Sequence, residues 1–342
     1  MYKKVLDYVD RCKSISLLKD KNINKLFLIT IFVFILMSSL RPNLFLSKAN
    51  FMSMAYQFPE LGFLAIATTF VIISGGIDLS IVSIANLSAI VCSFILVSAR
   101  EQTGAGLIFT ILLVFFISTA IGCVCGLING FFIAKFNIPP ILVTLGTMNL
   151  FTGIGIVLTK GLAISNFPPA FLVIGNGHIL GIPIVLIMFI IALSISAFIL
   201  NNTSYGFKLR FYGSNSIASW FSGIENLPVV LKTYIFSGVL SSFVGIIFLA
   251  RMNSAKADYG NSYLLHAILC ALLGGVDPKG GYGKISGMLL ALVSLQFLTS
   301  GFNMLRFNAF YKDLVWGLLL LLVMAINYTT NQKALKAKSS DK

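Results

Sequence analysis

The chain has 342 residues, of which 57% are hydrophobic and only 11% charged, and its mean hydropathy is +0.93. A soluble domain carries about a quarter of its residues as charges, so an aqueous globular protein is excluded. An all-α integral membrane protein is expected, with about ten transmembrane helices at roughly 20 apolar residues per crossing. The net charge of +14 is no sign of nucleic-acid binding, because no aromatic-basic surface goes with it.

The apolar runs follow in chain order. Residues 1–25 form a basic segment with Lys3, Lys4, Arg11, Lys13, Lys19, Lys21 and Lys25. A signal peptide also begins with a basic region, but this one is long and more spans follow, so span one (26–40) reads as uncleaved. Span two covers 55–73 and span three 79–98. Between them lies "SGGIDLS" (74–80), two glycines and then a carboxylate among apolar residues. A carboxylate near the bilayer centre costs a few kcal/mol even on lenient scales. The glycines end span two, because glycine allows conformations that other residues resist. Asp78 or Ser80 can then cap span three, where the helix dipole favours an anion. Broken backbone at this depth is tolerated only inside protein or beside a water-filled cavity.

Span three carries Ser83, Asn86 and Ser93 on one stripe, which suits either interhelical packing or the lining of a polar path. Span four (106–134) contains "GCVCGLING", with Gly122, Gly126 and Gly130 at intervals of four and Asn129 beside them. Small residues at that spacing let helices approach closely. Pro139 and Pro140 start span five (140–159), which carries Thr144, Thr147 and Asn149. Span six covers 180–200. The polar stretch 201–228 follows, with a turn at Gly213–Asn215 and a short helix-like piece, Ser216–Phe221, closed by Gly223 and Pro228. Such a piece suits docking to a partner or a solvated connector. Spans seven (229–250), eight (263–276), nine (285–304) and ten (313–328) complete the count, and span eight is short for a full crossing.

Ten spans place both termini on one side. Of the 25 Lys and Arg, 17 then share the side of the termini and 8 lie opposite, which makes the termini cytoplasmic. The segment 329–342 is a second basic cytoplasmic tail, with Lys333, Lys336, Lys338 and Lys342.

"GGVDPKGGYGK" (274–284) echoes GGID at 75–78, and matched glycine-interrupted segments point to the binding region in some transporters. Its "GYGK" is not a phosphate loop, since Pro278 and Ile285 occupy the positions that need Gly and Ser/Thr. His178 and His266 match no metal-ligand spacing. Cys12, Cys92, Cys123, Cys125 and Cys270 read as free thiols. No Ser/His/Asp set stands out, so neither an enzyme nor a cofactor is expected.

The ordered set "SGGIDLSIVSIANLSAIV", "GLINGFFIAKFNIPPILVTLGTMNLFTGIGIVLTKG", "YGSNSIASWFSGI" and "LLHAILCALLGGVDPKGGYGKISGMLLALV" resembles the permease subunits of ribose-type sugar ABC importers, over about residues 50–328. That resemblance implies a permease domain at 26–328 in the bacterial inner membrane and transport of a pentose, a hexose or a furanose-derived signal by alternating access. It implies as partners a cytoplasmic ATP-binding subunit, an extracytoplasmic sugar-binding protein and a second permease, identical or related. The 201–228 segment becomes the coupling loop, with Asn215, Ala218, Ser219 and Gly223 on the family pattern. Ser219 departs mildly from the small residue usual there, Trp220 is bulkier than usual, and Ser83 stands where many relatives have Gly. Ser74, Asp78, Asn86, Thr144 and Asn149 are candidates for a weakly binding path. An ion-coupled secondary transporter is the alternative and would need a coupling site among few buried acids. A substrate-free membrane scaffold is a third reading, which the breaks and polar stripes oppose.

Overall fold

The computed structural model describes residues 21–308, 310–312 and 314–325. The basic segment 1–20 and the tail 329–342 lie outside them. Eight helices are long and apolar enough to cross a membrane. These are α1 (Lys21–Leu40), α3 (Lys48–Ile73), α4 (Ile81–Ser98), α5 (Gly104–Phe136), α6 (Pro140–Thr159), α8 (Ile184–Asn202), α11 (Asn226–Met252) and α13 (Ile285–Met304). The shorter helices are α2 (Pro42–Phe45), α7 (Pro169–Asn176), α9 (Ser204–Ser214), α10 (Ser216–Phe221) and α12 (Asn261–Leu273). Residues 310–312 and 314–325 are helical too, the latter within expected span ten (313–328), whose last residues are not described.

Local chemistry sets the boundaries. Ser47 caps α3 by accepting a hydrogen bond from the Asn50 N–H at 3.2 Å, so this helix starts seven residues before the apolar run. Pro140 and Pro169 occupy first turns, where a missing N–H is harmless. Asn137 and Asn253 end α5 and α11 in the left-handed conformation that asparagine tolerates. At 13 residues α12 spans only about 20 Å, so expected span eight crosses part of a roughly 30 Å core.

Two kinds of helix result. In α3 and α11, 78% of the apolar window is buried inside the protein, against 22% in α1 and α8. The first pair forms the centre, and the second presents Phe32, Ile35, Ile191 and Phe198 outward, as lipid-facing helices do. The central pair is joined by α4, α12 and α13 in one apolar core holding Phe63, Phe70, Phe189 and Phe248.

The loops collect at two ends. One end holds 74–76, 137–140, 203–225 and 279–283. The other holds 160–183 and 253–260, where β1 (Ile164–Ser165) pairs antiparallel with β4 (Ser254–Ala255), in the register Ile164 to Ala255. A second antiparallel pair, β2 (His178–Ile179) and β3 (Ile182–Pro183), forms a hairpin there. At this end Glu60 of α3, 2% exposed, binds Arg251 of α11 at 2.5 Å and accepts from the Tyr263 hydroxyl of α12 at 2.9 Å. Sequence reasoning did not pair these residues, which lie 191 and 203 positions apart.

Candidate functional site

The α3 helix ends by a specific device. The Gly75 N–H bonds the Ile72 carbonyl at 2.9 Å and the Gly76 N–H bonds that of Val71 at 3.1 Å. Gly75 is left-handed, at φ +82°. This is a Schellman cap, which favours glycine because a Cβ is strained at that angle. The end of α12 repeats it: Gly275 bonds Leu272, Val276 bonds Ala271, and Gly275 has φ +83°. The structural match is thus Gly75 with Gly275, so the textual echo of GGID and GGVD is out of register by one residue. Asp78 does not correspond to Asp277.

The two carboxylates meet different surroundings. Asp78 is fully buried. Its Oδ1 accepts from the Ser80 N–H at 2.9 Å and the Ser80 hydroxyl at 2.6 Å, and its Oδ2 accepts from the Ser237 hydroxyl of α11 at 2.9 Å. Asn129 of α5 donates to Ser80 Oγ at 2.7 Å. Among the described residues, the carboxylate's partners are therefore two hydroxyls and one backbone N–H at the start of α4. Ser237 is the twelfth residue of the 27-residue α11, so the network sits near mid-depth. Buried polar groups are inexpensive only when satisfied in this way. Asp277 is half-buried, accepts from the Lys279 N–H at 2.9 Å and leads into a turn.

The other path candidates are dispersed. Thr144 is fully buried and donates between the carbonyls of Ile77 (3.0 Å) and Pro140 (2.9 Å), tying α6 to the break. Asn86, 2% exposed, donates to the carbonyls of Ala257 (3.0 Å) and Tyr259 (2.9 Å) and so pins the 253–260 loop from below. Ser83 and Ser93 bond carbonyls of their own helix. Asn149 lies on the exposed face of α6, away from this network. Ser74 lines a cleft of about 400 Å³ whose walls include Gly75, Gly76, Pro140, Tyr212, Asn215, Tyr234 and Lys279. The structure thus brings Asp78 and Thr144 together at the break, puts Ser74 in the cleft wall, and leaves Asn86 and Asn149 apart.

Gly122, Gly126 and Gly130 face α11. A Cβ on Gly126 would strike the Tyr234 carbonyl and come within 2.8 Å of Ile235 Cα, and one on Gly130 would come within 3.0 Å of Leu231 Cα. Gly122 and Gly238 meet backbone to backbone. Cys92, Cys123, Cys125 and Cys270 are free thiols. Among the described residues no group of three metal-ligating side chains occurs.

The polar stretch folds into α9 and α10. Sequence reading missed α9, whose start is marked by Thr203 accepting from the Gly206 N–H at 3.3 Å. Asn215 caps α10 by accepting from the Ala218 N–H at 2.9 Å. Gly223, at φ +78°, closes it with a third Schellman cap, Gly223 to Trp220 and Ile224 to Ser219. Pro228 falls in the first turn of α11. Asn215, Ala218 and Gly223 are exposed, whereas Ser219 is fully buried. Ile217, Trp220 and Phe221 are 68%, 64% and 78% exposed, and the two rings meet edge to face at 5.0 Å. Ile217, Trp220 and Phe221 thus form an exposed apolar patch on α10, of the kind that meets a partner or the membrane interface.

Comparison with known proteins gives a consistent result. The family described as the permease component of branched-chain amino acid transport systems matches residues 50–324. A ribose import permease of Bacillus subtilis is 33% identical over 295 residues, covering 86% of this chain and 88% of the relative. That of Haemophilus influenzae is 31% identical, covering 90% and 94%. An autoinducer 2 import permease of Yersinia enterocolitica is 31% identical, covering 77% and 79%. No solved structure matches the chain.

Proposed function

The chain belongs to this membrane permease family, and from that premise we propose that it is the translocation subunit of a sugar importer driven by a separate ATP-binding subunit. It is a multi-pass protein of the cytoplasmic membrane. The observation that carries the reading is the near full-length similarity to ribose and autoinducer 2 permeases, joined to an exposed aromatic docking helix, α10, at one end of the bundle.

The end carrying α9 and α10 is the cytoplasmic one. Lys135, Lys208, Arg210, Lys232, Lys279 and Lys284 lie toward it, in keeping with positive charge inside. An ATP-binding subunit docks on α10, with Trp220 and Phe221 as anchors worth about 1.5–3 kcal/mol each on full burial. Asn215 and Gly223 fix that helix, and Ala218 is exposed on it. An extracytoplasmic sugar-binding protein meets the opposite end, and a second permease completes the conduit. Asp78, Asn86 and Thr144 are sealed within the subunit, and Ser74 lines a cleft at the α9–α10 end. Alternating access then requires the segments around the breaks to move while the Asp78 network holds.

The ion-coupled alternative is not favoured: among the described residues the two buried acids, Asp78 and Glu60, are already satisfied by protein groups.

The test is purification from native membranes through a tag on this chain, followed by ATP hydrolysis with D-ribose, D-xylose, D-galactose and L-leucine. Co-purification of an ATP-binding subunit and stimulation by a sugar but not by leucine is expected. Stimulation by leucine alone, or uptake by the lone chain under an ion gradient, contradicts the sugar-importer reading.

A further inference from the structure

The α9–α10 segment does not merely sit beside the helix breaks. Three stretches of backbone, 213–214, 73–75 and 279–281, meet with no side chain between them. The Gly281 N–H donates to the Ile73 carbonyl at 2.8 Å, bonding the turn after α12 to the last residue of α3. Gly213 lies on the same bond: a Cβ there would strike the Ile73 carbonyl and come within 2.7 Å of the Gly281 nitrogen. Gly280, at φ +89°, would place a Cβ 2.6 Å from the Gly213 carbonyl and 2.8 Å from Gly75 Cα, and Gly281 would place one 2.8 Å from Ser214. Two requirements coincide at Gly280 and Gly281, left-handed backbone and contact too close for any Cβ, whereas Gly213 meets the second and Gly75 the first.

The contact is connected on both sides. One residue beyond Ser214, Asn215 begins α10, and Asn226 at the start of α11 bonds the Ser216 carbonyl at 2.9 Å. On the far side lie the two glycine-capped helix ends. A close-packed backbone contact cannot yield by rotamer change, so it transmits displacement.

We propose that Gly213 is a positioning residue for transport, the point through which movement of the docking helix is passed at once to the inner ends of α3 and α12. It acts on the path through these ends and touches no substrate. The proposal rests on the transporter reading above. It extends that reading by naming where the imparted motion enters the bundle.

The test uses the complex captured from native membranes and placed in lipid vesicles, with D-ribose uptake and ATP hydrolysis measured together. Gly213→Ala is expected to keep its co-purified partner and its basal hydrolysis, while sugar moved per ATP falls at least tenfold. A merely structural role would lower yield and leave that ratio unchanged. Gly213→Ala combined with Gly280→Ala should be no worse than either alone, as for parts of one contact. Since an alanine here can prevent folding, a second variant inserts one glycine between Ser214 and Asn215, leaving the contact and α10 intact but lengthening their link. It too should uncouple. Full sugar per ATP in the insertion variant or in Gly213→Ala overturns the proposal and leaves the importer reading standing. A wild-type complex with no ATP-binding partner and no uptake rejects the importer reading and the junction with it.

Discussion

The breaks after α3 and after α12 use the same cap and do opposite things with the chain that follows. After Gly75 the backbone turns inward and buries Asp78 among Ser80, Ser237 and the Asn129–Ser80 bond. After Gly275 it turns toward α9 and α10 and exposes Pro278 and Lys279. Identical local chemistry therefore specifies where a helix stops but not what the next five residues do. That depends on whether polar partners from other helices wait within reach, and Ser237 supplies one for Asp78. The first break is an anchor inside the bundle, and the second is a contact at its rim.

The comparison is most exposed at the carboxylates. Asp78→Leu leaves the Ser80 N–H and the hydroxyls of Ser80 and Ser237 buried without their acceptor, at about 1–3 kcal/mol each. The expected result is loss of most monodisperse protein on size-exclusion chromatography, while Asp277→Leu keeps wild-type yield. Similar losses from both would erase the distinction between anchor and rim.

Ser237→Ala is a smaller perturbation. It removes one of three donors to a buried carboxylate and should destabilise by about 1.5–3 kcal/mol, read as a lowered melting temperature of the detergent-solubilised chain. Ser237→Thr, which keeps the hydroxyl, should recover part of that loss.

The caps should behave alike. Gly75→Ala and Gly275→Ala each force alanine into the left-handed region, at about 1–2 kcal/mol, and no neighbouring atom lies closer than 3.6 Å to either added Cβ. Their melting temperatures should fall together, and an unaffected Gly275→Ala would show that the two helix ends differ. The smallest effect belongs to Lys279→Ala, an exposed side chain whose loss should leave melting within error.

Local features were legible in the sequence wherever one residue determines the backbone. The Pro139–Pro140 entry to α6 and the Gly223 stop needed no tertiary information, whereas the turn expected at Gly213–Asn215 proved to be the last residues of α9, with Asn215 capping α10. Seven of the eight long helices followed closely from apolar runs. The start of α3 did not, because the Ser47 cap begins that helix at Lys48, seven residues before the apolar run. What escaped was set by contacts between distant positions: Glu60 with Arg251, Asp78 with Ser237, Gly213 with Ile73. No periodicity reports such pairs. The echo at 274–277 misled by one residue because lettering was matched where a backbone angle decides. Asn86 and Asn149 show a similar limit, since residues that share a polar character need not share a cavity.

On the proposed function, driving force enters the bundle through α10. The direct measurement places a photo-reactive amino acid at Trp220 in one variant and at Leu180, on the opposite end, in another, and irradiates native membranes. The account predicts an adduct between position 220 and an ATP-binding subunit, absent from position 180. An exposed position 220 that yields only lipid adducts, in cells that still take up the sugar, would contradict it.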